Sequence, residues 1–357
     1  MTSATLLRKQ KRKNTLLLWT LAALVVLFSF VCLLAGVSNM SIQECVDALF
    51  GNGTPAALRI IWNIRIPRVI AAIVAGAGLS MAGLVMQTTL NNSMASASTL
   101  GVSNAAVFGA NLSIIGFAGG FLSTGNNPDN YLAGANPFAA GVLAFVFAVG
   151  SVLLNLALCR FRGFRSNVVV LCGIAIGSVW TAATTILQYY ATDVGLSAAV
   201  VWSFGDLSRA DYGTNLLMLA VVVAGGIFFG CNAWKFNAML SGEAAAKTMG
   251  VNVERFRFWA LLLSALITAV CVSVLGIVSF VGIICPHVVK RLLGQDHRVS
   301  ILASCLSGSL LLLLADTAAR LVGSGSALPV GAVTALLGAP FFLAVIFLGK
   351  ENRNADC

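Results

Sequence analysis

The chain has 357 residues, of which 59% are hydrophobic and 10% are charged, and its formal net charge is +10. Soluble domains usually have about 25% charged residues, whereas this sequence repeats apolar runs of about 20 residues, the length that crosses a bilayer as a helix. The composition excludes a soluble globular domain and predicts an all-α polytopic membrane protein.

The first half of the sequence predicts five membrane-spanning helices. A basic N-terminal segment, 1–15, precedes an apolar run at 16–37, which is longer than the core of a signal peptide and lacks a small-residue cleavage pattern after it. The runs that follow are 64–90, 100–115, 137–158 and 168–190. Gly76, Ser80 and Gly83 in the second run are small residues of the kind that let membrane helices pack closely.

The second half predicts four long spans and one short element. The long runs are 216–231, 258–275, 301–321 and 330–348, and a short outer helix is expected around Trp202. The stretch 276–285 would be only about 15 Å long as a helix, so we expect it to lie inside the protein along a pathway rather than to cross alone. The count is ten transmembrane helices in a single domain, 16–348, with a tail at 349–357.

Positive charge lies mainly on one side of this predicted topology. The two termini and three loops, among them 286–298, hold 17 of the 22 Lys and Arg residues, whereas the predicted outer loop 116–136 holds none. By the positive-inside rule the basic segments and both termini lie in the cytoplasm. The net charge therefore reflects orientation and does not indicate nucleic-acid binding.

One polar stretch, 241–259, interrupts the apolar runs on the predicted cytoplasmic side. It predicts a short helix from Gly242 to Met249, with Ser241 as the N-cap and Gly250 as the stop. Three consecutive alanines give this helix a small, smooth surface, which favours docking into a groove on another protein. A helical connector without a partner is the simpler alternative.

Three arginines, Arg65, Arg68 and Arg320, are predicted at the outer ends of helices, where basic residues are otherwise scarce. One alternative is that they extend to the membrane interface, and another is that Arg320 pairs with Asp316 one turn away. Exposed on the outer surface, the three could equally form a dock for carboxylates of a soluble partner.

The sequence predicts no catalytic or metal-ligating residues. His287 and His297 lack a second ligand at metal-binding spacing, and the cysteines within apolar runs are interpreted as small core residues. Lys247 follows an alanine where a phosphate-binding loop requires glycine, so ATP binding by this chain is not predicted. No carboxylate lies in the middle of a predicted span, which disfavours an ion-coupled carrier. A translocator powered by a separate protein is what remains.

Six motifs resemble those of one family in their sequence and their order. They are RIPR at 65–68, LGVSNAAVFGA at 100–110, GEAAAKTMGVNVERFR at 242–257, GIVSFVGIICPHVVKRLLGQDHR at 276–298, DTAAR at 316–320 and LPVGAVTALLGAPFF at 328–342. The chain is identified by them as similar to the iron-siderophore and cobalamin (FecCD-type) permease subunits of bacterial ABC importers. The resemblance covers nearly all of the chain after about residue 41.

The resemblance implies a fold and a set of partners. The fold is the type II ABC importer permease architecture, with ten transmembrane helices per subunit in the bacterial inner membrane. The partners are a second permease subunit, identical or not, two cytoplasmic ATPase subunits that bind ATP and Mg, and an external substrate-binding protein. The chain itself would bind no cofactor and catalyse no reaction.

The resemblance also assigns roles to particular residues. Glutamates of the binding protein would meet Arg65, Arg68 and Arg320. The ATPase-coupling helix would comprise Gly242, Glu243, Ala244, Ala245, Ala246, Lys247 and Gly250. A cytoplasmic gate would include Asn92 and Met94 and, by a weaker alignment, Ser166 and Asn167.

One departure concerns that gate. The family commonly has Asn-Pro-Leu-Ala-x-Pro after the second span, whereas residues 92–97 read Asn-Ser-Met-Ala-Ser-Ala. Both prolines are absent, so we expect a less rigid turn.

The predicted cargo is a ferric siderophore or a related iron chelate. The same type of importer carrying cobalamin or haem is the first alternative, and an ion-coupled secondary carrier is the alternative from another class. An intramembrane enzyme has no support from the residues.

Overall fold

A computed structural model describes residues 3–36, 40–118, 136–161, 164–322 and 328–351 of the chain, and the regular structure in these ranges is helical. The helices of the first half are α1 (Ser3–Leu34), α2 (Ile42–Leu49), α3 (Pro55–Ile60), α4 (Ile66–Thr89), α5 (Val102–Asn111), α6 (Pro137–Arg160), α7 (Ser166–Tyr189) and α8 (Asp193–Ser203). Those of the second half are α9 (Tyr212–Cys231), α10 (Ala233–Leu240), α11 (Glu243–Thr248), α12 (Val253–Leu275), α13 (Val281–Leu293), α14 (His297–Val322) and α15 (Val330–Glu351).

Three predicted features fall largely outside the described residues. They are the outer loop 116–136, of which 119–135 is not described, the basic residue Arg162, and the end of the tail, 352–357.

Seven helices of the described ranges are long and apolar enough to cross a membrane. They contain Lys11–Leu34, Pro55–Thr89, Phe138–Arg160, Ser166–Tyr189, Tyr212–Cys231, Val253–Leu275 and His297–Val322. Each corresponds to one of the predicted spans. The predicted third and tenth spans correspond to the shorter apolar stretches Val102–Phe117 and Val330–Leu343, and the total of ten crossing helices stays a prediction.

The predicted short element at 276–285 differs from the observed structure. Residues 276–280 are not helical, and α13 begins at Val281 and continues through Pro286 to Leu293. Most of α13 thus lies in the stretch that was predicted to be a polar cytoplasmic segment. The prediction of a short helix around Trp202 agrees with α8, which buries that side chain.

Helix α4 lies at the centre of the molecule. It packs against α9, α12, α13 and α14. In its most apolar stretch 83% of the residues are buried, against 11% in α1, which lies at the periphery. The segment Ile61–Arg65 is a π-helical turn that continues α3 into α4 without a break.

Glycines bring α4 into direct contact with the backbones of its neighbours. A Cβ on Gly76 would overlap the carbonyl group of Gly308 on α14, and a Cβ on Gly83 would overlap that of Gly282 on α13. This confirms the predicted close packing of the second span. Because membrane helices gain little from the hydrophobic effect, such close contact is a main source of their association.

A second set of glycines joins three elements at the predicted outer surface. Gly205 and Gly276 have φ angles of +74° and +82°, conformations that favour glycine. A Cβ on Gly331, at the start of α15, would overlap the carbonyl oxygen of Ile277. These contacts hold the non-helical stretch 276–280 between α8 and α15, and Phe280, whose φ is +64°, is the N-cap of α13.

We expect Gly83→Ala to destabilise the protein, since its methyl group would press on a backbone carbonyl that no side-chain rotation can move. The cost expected for such overpacking is about 1–3 kcal/mol. Thermal unfolding of the purified protein in detergent should show a midpoint several degrees lower. The matched control is Gly230→Ala on α9, where a Cβ would meet no atom within 4 Å. Equal midpoints for the two variants would contradict the central position of α4.

Candidate functional site

The three arginines predicted for docking are buried. Arg65, Arg68 and Arg320 are 4%, 7% and 7% exposed, so the prediction that they are exposed is wrong. The physical reason is that the C-terminal end of α1 covers two of them. Their role in docking is a separate question, which the geometry does not test.

Asp316 lies at the centre of this outer cluster and is fully buried. One of its carboxylate oxygens accepts from Arg68 Nε at 2.7 Å, and the other lies 2.9 Å from Arg320 Nη2. The pair of Asp316 and Arg320, left open as an alternative in the sequence, is therefore present. Arg68 Nη2 also lies 3.8 Å from a carboxylate oxygen of Asp206.

Backbone carbonyl groups at the end of α1 provide the other partners. Arg65 Nη1 donates to the carbonyl of Leu33 at 2.7 Å, and Arg320 Nη1 donates to those of Cys32 and Ala35 at 2.9 and 2.5 Å. The last carbonyls of a helix lack partners within it and carry a partial negative charge. The two arginines therefore cap α1.

The predicted coupling helix is α11, and the observed cap differs from the predicted one. The N-cap is Gly242, with φ of +101°, and Ser241 instead follows the end of α10. Gly250 has φ of +84° and ends the element as predicted. Gly242, Glu243, Ala244, Lys247 and Gly250 are exposed, Ala245 is half-buried, and Ala246 is buried.

Arg257, near the start of α12, joins α11 to two other segments. It forms an ion pair with Glu243, donates from Nε to the carbonyl of Thr89 at 2.9 Å, and donates from Nη1 to the carbonyl of Phe164 at 2.5 Å. Arg257 is 2% exposed, so its two bonds to backbone carbonyls are shielded from water and geometrically restrictive, whereas the Glu243 carboxylate with which it pairs is exposed.

Each predicted gate segment comes shortly after a residue whose backbone carbonyl accepts a hydrogen bond from Arg257. Thr89 is the last residue of α4 and precedes Asn92 and Met94, and Phe164 precedes Ser166 and Asn167 at the start of α7. The structure thus brings α11, the end of α4 and Phe164, just before α7, to one guanidinium group.

The turn predicted to form part of a gate, 92–97, lacks the two prolines and is held by side-chain hydrogen bonds. Asn92 Oδ1 accepts from the backbone N–H of Met94 at 2.9 Å, and the hydroxyl of Thr99 accepts from the N–H of Ser96 at 3.0 Å. Met94 is exposed, as is Asn167, while Asn92 and Ser166 are half-buried. The lower rigidity expected for this turn stays a prediction.

Arg257 is not singled out by the sequence predictions, which include it only among the cations of the predicted cytoplasmic segments. A signal was present in the spacing, because Val253, Phe256, Ala260 and Leu261 surround it at the positions that form the buried stripe of a helix. An arginine within such a stripe needs hydrogen-bond partners in the protein interior, which the sequence pattern by itself does not identify.

The chain is similar in sequence to a family of transport proteins and to several permeases. The model of the FecCD transport family matches residues 23–348. A Methanocaldococcus jannaschii protein named as an ABC transporter permease is 43% identical over 90% of this chain and 92% of its own length. The hemin transport system permease protein HmuU of Yersinia pestis is 32% identical over 92% of this chain and 96% of its own length.

Two further matches extend the comparison to cargo and fold. The vitamin B12 import system permease protein BtuC of Shigella boydii is 31% identical over 97% of this chain and 99% of its own length. A solved structure described as an inward-facing conformation of a metal-chelate type ABC transporter superposes with a TM-score of 0.78, covering 94% of this chain and 99% of that one. At 24% identity this last likeness shows a common fold.

We expect Asp316→Asn to destabilise the outer cluster, because Arg68 and Arg320 would lose their shared buried counter-charge. Removal of one member of a buried ion pair typically costs about 3–5 kcal/mol. The measurement is the thermal unfolding midpoint in detergent, and the control is Asp47→Asn on α2, where the carboxylate is exposed. If Asp316→Asn unfolds at the wild-type temperature, the cluster does not contribute to stability as described.

Proposed function

Because the chain belongs to the FecCD transport family, whose members above are permease subunits of ABC importers, we propose that it translocates a ferric siderophore or a related iron chelate. Like its relatives, the chain is a membrane-embedded transport component and not an enzyme. Substrate would move because access to the pathway changes from one side of the membrane to the other.

A second cargo is favoured by the relatives themselves. The names of two of them specify hemin and vitamin B12, which are both metal-tetrapyrrole compounds. Haem or cobalamin is therefore the alternative to a siderophore, and the three share the chemistry of a metal held by a large organic chelator.

The proposal includes the partners that such an importer requires. They are a second permease subunit, two ATPase subunits that bind ATP and Mg in the cytoplasm, and a soluble protein that delivers the chelate on the outer side. Both termini and α11 would then lie in the cytoplasm, on the side that the basic residues indicate.

The observation that carries this mechanism is the position of Arg257 between α11 and the two gate segments. When ATP draws the ATPase subunits together, they would push on the exposed surface of α11. The ion pair of Glu243 with Arg257 would pass that displacement to the carbonyls of Thr89 and Phe164, and so to both segments at once.

At the outer surface we retain Arg65, Arg68 and Arg320 as the proposed dock for the binding protein. Arg68 and Arg320 pair with the carboxylates of Asp206 and Asp316, and Arg65 binds carbonyl groups at the end of α1 beside them. The guanidinium groups would attract an acidic partner. Since the end of α1 covers the cluster, direct pairing with a partner's glutamates would require α1 to move.

We expect Arg257→Gln to uncouple transport from ATP hydrolysis. Loss of the charged contacts should reduce uptake about tenfold, which corresponds to a coupling free energy of about 1.4 kcal/mol. Basal ATPase activity of the assembled complex should persist. The control is Arg255→Gln, which removes an exposed arginine two residues away on the same helix. Equal uptake by the two variants would contradict the role of Arg257.

Two further substitutions test the coupling helix itself. Glu243→Arg would place a second cation against Arg257. Ala245→Trp would add a bulky side chain to the small surface of α11 and so obstruct its docking into a groove. Each is expected to abolish uptake while the protein still purifies as folded, monodisperse material. Normal uptake by either variant would show that α11 is not the coupling helix.

The proposed function as a whole is tested by reconstitution. The chain would be expressed with the genes adjacent to its own and purified from membranes, and ATPase activity would be measured in lipid nanodiscs with each candidate binding protein. Stimulation by a binding protein loaded with a ferric siderophore, and not with haem or cobalamin, is the expected result. A chain that purifies without an ATPase, and whose uptake follows an ion gradient, would instead be a secondary carrier.

A further inference from the structure

A groove opens between α6 and α9 at one end of the molecule. Both helices pack against α12, which forms the floor, and they leave a gap of about 900 Å³ between them. The gap is separate from the arginine cluster around Asp316 and from Arg257.

The walls of the groove are apolar over most of their length. Val142 and Phe145 line it from α6, Leu217 and Val221 from α9, and Val270 from the floor. Water gains few hydrogen bonds in a cavity of this kind, and apolar cavities do not retain it. The natural occupant of this part of the groove is therefore a hydrocarbon.

The length of the groove matches one leaflet of a bilayer. On α9 its lining extends from Asp211 to Val221, and on α6 from Asn136 to Phe145, which at 1.5 Å per residue is about 15 Å. The hydrocarbon core of a bilayer is about 30 Å thick. All three helices of the groove qualify as membrane spans, so the groove extends from one membrane surface to about the bilayer centre.

The polar end of the groove carries a guanidinium group. Arg209 donates to the carbonyls of Trp202 and Val201 at 2.8 and 2.9 Å, and its guanidinium carbon lies 5.6 Å from the centre of the Trp202 ring. Among the residues that the structure describes, no carboxylate lies within 4 Å of Arg209. The two carbonyls fix the side chain in place. The Asp206 carboxylate acts on Arg209 electrostatically from beyond 4 Å and also faces Arg68 at 3.8 Å, so its charge is shared between the two arginines.

The carboxylate at the same end is already used within the protein. Asp211 accepts from the backbone N–H and the hydroxyl of Thr214 at 2.7 and 2.6 Å, as the N-cap of α9. These hydrogen bonds hold the pKa of the Asp211 carboxyl below its usual range, and its charge is balanced by the positive end of the helix. An anion at the mouth of the groove would thus meet Arg209 as its partner.

An apolar channel of leaflet depth with a fixed cation at the membrane surface matches the shape and charge of a phospholipid. We propose that this groove is a binding site for one glycerophospholipid of the outer leaflet, with an acyl chain between α6 and α9 and its phosphate at Arg209. Tyr212, the first residue of α9 and the neighbour of Asp211, is exposed at this end, and tyrosine is enriched at membrane interfaces. The site does not depend on the proposed transport function.

The test is native mass spectrometry of the full chain in detergent, with dioleoylphosphatidylglycerol added after the loosely bound lipid has been removed. We expect one retained lipid per wild-type chain and none in Val221→Trp, which fills the groove. The control is Leu219→Trp, on the opposite face of α9, where the side chain is exposed and does not line the groove. It should retain the lipid as the wild type does.

The role of the phosphate is tested by a second pair of variants and a second lipid. Arg209→Gln should weaken retention of dioleoylphosphatidylglycerol about tenfold and leave dioleoylglycerol, which has no phosphate, unaffected. Arg59→Gln, which removes an exposed arginine on α3, should change neither.

Two outcomes would overturn the proposal. One is equal lipid retention by the wild type and Val221→Trp. The other is a change from dimer to monomer in Val221→Trp with no change in bound lipid, which would make the groove an interface between copies of the chain.

Discussion

The architecture depends on the close approach of α4 to the backbones of its neighbours. Lipid tails are as apolar as the side chains that face them, so helices in a membrane associate through packing rather than through exclusion of water. Gly76 and Gly83 allow that approach along one helix. The same helix carries Arg68 at its start and Thr89 at its end, about 32 Å apart at 1.5 Å per residue. The single buried helix α4 therefore sets the positions of the outer cluster at one end and of the carbonyl that Arg257 binds at the other.

The outer cluster around Asp316 and the contacts of Arg257 stabilise buried cations in the same way. Arg65 and Arg320 donate to carbonyls at the end of α1, and Arg257 donates to the last carbonyl of α4 and to that of Phe164. A guanidinium group has five N–H donors in a planar arrangement, and carbonyls at the end of a helix accept them without introducing a second buried charge. Each cluster then needs few carboxylates, and each arginine fixes the end of a helix as well as its own position.

Most of the fold could be predicted from the sequence, since apolar runs and the placement of Lys and Arg are local properties. The seven long spans, the small-residue faces of α4 and the stop at Gly250 follow from them. The burial of Arg65 could not be predicted in this way, because its partners are backbone carbonyls about 30 residues earlier that no side-chain pattern reveals. The start of α13 at Val281 is not predicted for a related reason: backbone contacts with Gly205 and Gly331, which are distant in sequence, hold residues 276–280 in a non-helical conformation.

The capping of α1 has a consequence for the order in which the chain assembles. Helix α1 is synthesised before the other described helices, and the carbonyls at its end require partners away from water. Arg65 becomes available soon afterwards, but Arg320 is synthesised 288 residues after Cys32, the residue whose carbonyl it binds. Helix α1 is therefore fully fixed in place only after α14 has been synthesised. A chain truncated before α14 would keep the cap from Arg65 but leave the carbonyls of Cys32 and Ala35 without Arg320, so this end of α1 would be only partly capped.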